Sequence, residues 1–421
     1  MYQQHTLENG LKILMVPVPT YQSISVGFFV AVGSRYETER HAGISHFIEH
    51  MLFKGTPTLP NSGLIAEAIE GIGGTSNAYT SQDSTVYYAK VADSQAATAI
   101  EYLTDLLRHS LFAAADIKKE KQVIGEEISM VFDQPDTWVS ILADQLLWPD
   151  HPLGYNIAGS PASLARITRK SLLEFFQRSY HPANLLVAVG GAFNPDDIVA
   201  QLSRLLGDWQ PAPLPVFPPA PPLQTAPRCQ IETRPIEQGH LCLTLPGLSR
   251  CHPDRFALSV LNTVLGDGMS SRLFLNIRED KGLAYAIDSG LNPLQDTGSL
   301  EIYAGVDPDR AAEALQAILF ELERLRQEPV SVRELRRAKE YLKGRLVLSL
   351  EDTFSRASWV AYQALFMPAI KSPEEVLAAY DAVSVDEVQS VAQATLNPSR
   401  YNLAAIGPFA RPEALSQLII K

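Results

Sequence analysis

The sequence predicts an α+β protein of two tandem homologous domains, each a mostly antiparallel sheet with helices packed on one face. Three observations carry that prediction. Apolar periodicity places strands and helices in blocks instead of strict alternation, which favours antiparallel sheets with segregated helices. A pattern of helix, Pro turn, strand and Gly-x-Phe runs through residues 168–193 and again through 384–409, its Pro, Gly and Phe all offset by 216 residues. Near the midpoint, eight prolines between Pro211 and Pro227 have the composition of an extended, semi-rigid linker. The expected division is therefore 1–212, a linker over 213–228, and 229–421.

In order along the chain, the pattern predicts strands over 11–16, 23–32 and 84–91 and helices over 43–53, 64–70, 94–109 and 115–131. Residues 76–80 read as an edge strand on β-propensity alone. The second half repeats the scheme with strands near 230–245, 285–291 and 298–306 and helices near 310–327 and 332–350. Carried forward by the same offset, residues 46–50 correspond to 262–266, where no metal-binding side chains occur.

Composition bounds the function. A chain of 421 residues, 46% hydrophobic and 19% charged, is long enough for two complete cores and has the balance of a globular protein. Its net charge of −12 and isoelectric point near 5.3 argue against nucleic acid or an anionic membrane surface as the main partner, since both demand clustered Lys and Arg. Residues 1–10 lack the basic and apolar regions of a secretory signal, and no apolar run nears the roughly 20 residues that span a bilayer. A cytoplasmic protein with no membrane role is expected. Cys229, Cys242 and Cys251 are odd in number, show no C-x-x-C spacing and read as core thiols.

The chemistry is concentrated in His46-Phe47-Ile48-Glu49-His50. At about 100° of rotation per residue, the two imidazoles lie about 40° apart and Glu49 within about 100° of both. Ile44, Phe47, Ile48, Met51, Leu52 and Phe53 make the helix apolar nearly all round, so it should be buried, and a buried charge needs a partner. A cation satisfies the imidazoles, while the remaining carboxylate can accept a proton. A catalytic zinc takes three protein ligands and keeps one position open. Helix 115–131 offers the third: Glu120 and Glu127 share a face two turns apart, and Glu126 is displaced from it by about 100°. The Gly266-x-Gly268 pair is too little to indicate a nucleotide loop.

With Glu127 following His50 after 76 intervening residues, the sequence resembles the M16 metallopeptidases, the pitrilysin family that includes insulin-degrading enzyme and the mitochondrial processing peptidase. The stretches 73–81, 123–130, 151–159, 266–274 and 278–285 strengthen the match and extend it over essentially the whole chain. The resemblance implies one zinc ion per chain on His46, His50 and Glu127, with Glu49 as general base, zinc-bound water as nucleophile and Glu120 as a supporting carboxylate. It also implies that Arg278 and Tyr285 hydrogen-bond the substrate and that Asn77 and Ala78 lie where an extended peptide adds as a strand. The expected activity is zinc-dependent endopeptidase action on short or unfolded peptides in an enclosed chamber. A unit of this length is expected to form a homodimer. The competing expectations are a heterodimer with an inactive homologue and a noncatalytic structural subunit.

Overall fold

The strand β3 (Ser23–Val30) is buried from Ile24 onward on both of its faces, which is why it reads as a near-continuous apolar run instead of an alternating one. In the computed structural model, which describes residues 2–420, this strand is central to a six-stranded sheet. Its companions are β1 (Gln3–Thr6), β2 (Lys12–Pro17), β4 (Thr75–Thr80), β5 (Thr85–Ala92) and β6 (Leu185–Gly191), in the order β1-β2-β6-β3-β5-β4. Only β2 and β6 pair in parallel.

One face of this sheet carries α1 (Ile44–Leu52), α2 (Ser62–Glu70) and α3 (Ala96–His109), with α4 (Ala114–Asp133) beside them. Phe47, Ile48 and Met51 of α1 join Leu103, Leu106 and Leu107 of α3 in a buried cluster with Val26, Phe28 and Tyr87 of the sheet. Each such side chain contributes about 1.5–3 kcal/mol by leaving water. The opposite face is covered by the helix Thr353–Phe366, whose Ala357, Val360 and Ala361 pack on Leu14, Phe29, Leu186 and Ala188. The approach is close: a Cβ on Gly190 of β6 would lie 2.3 Å from the Thr353 carbonyl oxygen.

A second unit is built the same way. The strands β7 (Arg228–Thr233), β8 (Gly239–Pro246), β9 (Ala284–Pro293), β10 (Gly298–Val306) and β11 (Asn402–Gly407) lie in the order β7-β11-β8-β10-β9, again with one parallel pair, β7 with β11. Helices Arg255–Leu265 and Ala311–Gln327 pack on one face. On the other lies α5 (Pro135–Leu147), its Val139, Leu142 and Ala143 against Cys242, Ala404 and Ile406.

The two units are thus discontinuous in sequence. One comprises Met1–Ser129, Tyr155–Pro218 and Leu348–Ile370; the other comprises Met130–Gly154, Pro219–Val347 and Lys371–Lys421. Each draws a helix from the other side of the proline-rich stretch, and residues 209–227 form no helix or strand. The expected α+β class, duplicated architecture and mostly antiparallel sheets are all present, with one helix added on the second face of each sheet. The core-thiol expectation holds for buried Cys242 but not for Cys251, which is exposed in the loop before Arg255–Leu265; Cys229 is half-buried, and none of the three is in a disulfide. Among the described residues no helix is long and apolar enough to cross a membrane.

Candidate metal centre

α1 begins in a constrained way. Gly43 adopts φ +92°, and a Cβ there would lie 2.5 Å from the Ala158 carbonyl oxygen, so both conformation and space call for glycine. The orphan N–H groups of the first turn find a carboxylate: Glu37 accepts from Gly43 N at 2.7 Å and from Ser45 N at 2.8 Å. Glu37 is only 4% exposed. Burial pushes its pKa up to about 8, against the backbone and side-chain hydrogen bonds of Ser45 and the N–H of Gly43, which pull it down. From this fixed start the apolar stripe Ile44, Phe47, Ile48 and Met51 turns inward, leaving His46, Glu49 and His50 half-buried on the remaining face.

α4 buries Ile117, Glu120, Ile124 and Ile128 on one stripe, which carries Glu127 along its margin and leaves Glu126 exposed. The fold thereby brings His46, His50 and Glu127 together, one potential ligand atom of each lying within 4.8 Å of the others. Glu127 Oε2 is 3.9 Å from His46 Nε2 and 3.6 Å from His50 Nε2. Zinc bonds of about 2.0–2.1 Å put tetrahedral ligand atoms roughly 3.3–3.5 Å apart, so the two Glu127 contacts need contract by only a few tenths of an ångström to belong to a first coordination set. Burial, then the neighbouring His50, pushes the His46 pKa down to about 4, keeping its imidazole in the neutral form that metals bind.

Glu120 does not join that set; it stands behind it. Its Oε2 is 3.1 Å from His50 Nδ1, and its Oε1 is 2.8 Å from the Lys54 ammonium. A carboxylate on Nδ1 holds that nitrogen protonated and turns the Nε2 lone pair toward Glu127, the arrangement that orients metal-binding histidines generally. The donor types, their spacing and this supporting carboxylate fit a zinc ion with a vacant fourth ligand position.

Glu49 sits on the same side of α1 but outside the ligand set. Thr80, the last residue of β4, donates its hydroxyl to Glu49 Oε2 at 2.5 Å. Burial raises the Glu49 pKa above the usual carboxylate range, the Thr80 hydrogen bond and His50 opposing and Glu127 adding to the rise. A cleft of about 510 Å³ opens beside Glu49 and His50, walled by Phe53, Ile65 and residues 74–78. Asn77 and Ala78 lie in β4, which pairs only with β5 and forms the sheet's edge. In the second unit, Arg278 stands over the Phe274 ring at 4.7 Å with its side chain 40% exposed, and Tyr285 of β9 is 76% exposed, not a core residue. Three participants carry no sequence signal for the roles they take: Glu37 and Lys54 are isolated polar residues, and Thr80 reads only as the end of the edge strand.

An α+β unit whose H-x-x-E-H helix converges with a Glu from a following helix defines the inverted class of peptidase metal centre. Comparison with known proteins agrees: the family described as Insulinase (Peptidase family M16) matches residues 12–160, and that described as Peptidase M16 inactive domain matches 166–342. The chain belongs to peptidase family M16. It is 37% identical to the uncharacterized zinc protease YmxG of Bacillus subtilis over 97% of this chain and 98% of that one. Among solved structures it is similar to a protease from Helicobacter pylori, at 25% identity and TM-score 0.91, covering 97% and 99% of the two chains. A Pseudomonas fluorescens peptidase M16 inactive domain shares the fold at 22% identity and TM-score 0.89, covering 97% and 98%.

Proposed function

We propose that this chain is a zinc-dependent endopeptidase that cleaves short or unfolded peptides. The observation that carries the reading is the convergence of His46, His50 and Glu127, backed by Glu120 on His50, with Glu49 left outside the ligand set. One zinc ion per chain would be held by the three, supplying Lewis acidity and a water of lowered pKa. Glu49 takes the proton from the attacking water and returns it to the leaving amine. Burial raises its pKa above the usual carboxylate range, so capture of the proton is less steeply uphill than it would be for an ordinary carboxylate. The open edge of β4 at Asn77 and Ala78 takes the peptide by main-chain pairing, which reads shape more than sequence and gives broad specificity. The exposed Arg278 and Tyr285 are donors for substrate oxygens. The working form is a homodimer that encloses its substrates in a chamber, in the cytoplasm.

Two other readings are a noncatalytic structural subunit and the catalytic half of a heterodimer with an inactive homologue; the match of residues 166–342 to the Peptidase M16 inactive domain is the observation that favours them. The purified chain, alone, is assayed on a quenched fluorescent peptide library with and without zinc. Zinc-dependent turnover supports the proposal. No turnover alone but turnover with an added homologue supports the heterodimer, and no turnover in either case the structural role.

A further inference from the structure

We infer that Thr80 is a positioning residue for Glu49, tying the edge strand of the first sheet to the base; this rests on the peptidase reading above. The hydroxyl-to-carboxylate distance of 2.5 Å is that of a charge-assisted hydrogen bond. It occupies Oε2 and leaves Oε1 as the oxygen that receives the proton. A Glu side chain otherwise samples several staggered rotamers, and a single short bond to a fixed donor selects one.

The donor is itself fixed. Thr80 pairs with Thr85 across the β4–β5 ladder, and the Thr85 hydroxyl is buried and donates to the Val32 carbonyl at 2.9 Å. The turn that follows closes through Ser81 N to Ser84 O at 2.8 Å. It is pinned to the segment before α1 by Ser34 N to Ser81 O at 3.1 Å and Arg35 N to Gln82 O at 3.0 Å. At Gly33 the contact is so close that a Cβ would lie 2.0 Å from Ser81 O. The hydroxyl is therefore held by the sheet, while Glu49 is held by α1, and their bond registers one element against the other. Because Asn77 and Ala78 belong to the same short strand, a peptide that pairs with β4 stiffens the strand that aims the base.

The test compares Thr80→Val, Thr80→Ser and Glu49→Gln, each with measured zinc content, kcat and KM, and a crystal structure of the valine variant. The expected result is a fall in kcat of about 10- to 100-fold for valine, with KM and zinc content unchanged, and recovery to within about threefold by serine. Placed in the Glu49→Gln background, Thr80→Val should cost nothing further, because the hydroxyl acts only through the carboxylate. In the crystal structure the Glu49 carboxylate should leave its present rotamer. Wild-type kcat in the valine variant, equal losses for valine and serine, or an unmoved Glu49 rotamer would overturn the inference. Wild-type turnover in Glu49→Gln would instead overturn the base assignment, and a wild-type chain without activity would overturn the peptidase reading; the rotamer still decides the role of Thr80 in both cases.

Discussion

The carboxyl of Glu37 makes the stability of the first unit depend on pH in a direction that can be worked out in advance. Its pKa is raised from 4.5 to about 8, chiefly by burial, so the folded state binds the proton more tightly than the unfolded chain. A raised folded pKa means a contribution fully present below about pH 4.5 and lost as pH climbs through about 8. At about 1.4 kcal/mol per unit, the full span is worth roughly 4–5 kcal/mol, of which about 3 is lost between about pH 5.5 and 8.5. With the side chain only 4% exposed, solvent screening takes little from that figure. Glutamine in place of Glu37 is neutral throughout, so it removes this dependence and leaves every other titration in place. Denaturant unfolding of both proteins across that range, at matched zinc occupancy, should show the wild type losing about 3 kcal/mol relative to Glu37→Gln as pH rises. A constant difference would refute the argument. A difference of opposite sign would mean that the two N–H donors at the start of α1 outweigh burial and hold the carboxylate ionised.

Further expectations concern the metal site and the sheet. Glu49→Gln should retain zinc by atomic spectroscopy and lose about 10²- to 10⁴-fold in turnover; zinc falling along with activity would place Glu49 among the ligands instead. Glu120→Gln, which weakens the support of His50 Nδ1, should lower zinc affinity about 10- to 100-fold in a chelator competition, and unaltered affinity would remove Glu120 from the site. Gly190→Ala forces a Cβ toward the Thr353 carbonyl oxygen and should destabilise the first unit by about 1–3 kcal/mol, read as a lower midpoint in thermal unfolding; a neutral outcome would mean that helix Thr353–Phe366 can shift without loss.

What could be read from the sequence was whatever repeats or is periodic. Strands β2 and β7 begin at Lys12 and Arg228, and β3 and β8 at Ser23 and Gly239, the same offset that the Pro, Gly and Phe positions display. Helices α1 and α4 fall within two residues of the expected bounds, because their apolar stripes are strong. The crossing of α5 and helix Thr353–Phe366 to the sheet on the far side of the linker was not legible. An amphipathic stripe says that a helix has a face to bury but not which sheet receives it. β1 was missed for a related reason: all four of its residues are exposed, so it has no apolar alternation to detect. Glu37 and Thr80 escaped because a lone polar residue announces its role only through the atoms it meets.

The duplication also explains why, among the described residues, the ligand cluster occurs in one unit and not in its copy. At 216 positions beyond the site, His46 corresponds to Asn262, Glu49 to Leu265 and His50 to Gly266, while Glu120 and Glu127 correspond to Arg336 and Lys343. Both acidic positions have become cationic, so the loss is a reversal of charge and not a mere erosion of ligands. Asn262 has taken a structural task instead: it is buried, and its side-chain oxygen accepts from the Ser289 hydroxyl at 2.7 Å, tying the helix Arg255–Leu265 to β9. Lys343 is neutralised by Asp381 and Glu340 at its own surface. A cation brought to these positions would find no imidazole and, in place of the two carboxylates, an Arg and a Lys, the Lys with its own counter-ions already engaged, which supports the reading of a single zinc ion per chain. The second copy carries instead the solvent-reaching Arg278 and Tyr285, the donors that the proposed function assigns to substrate oxygens.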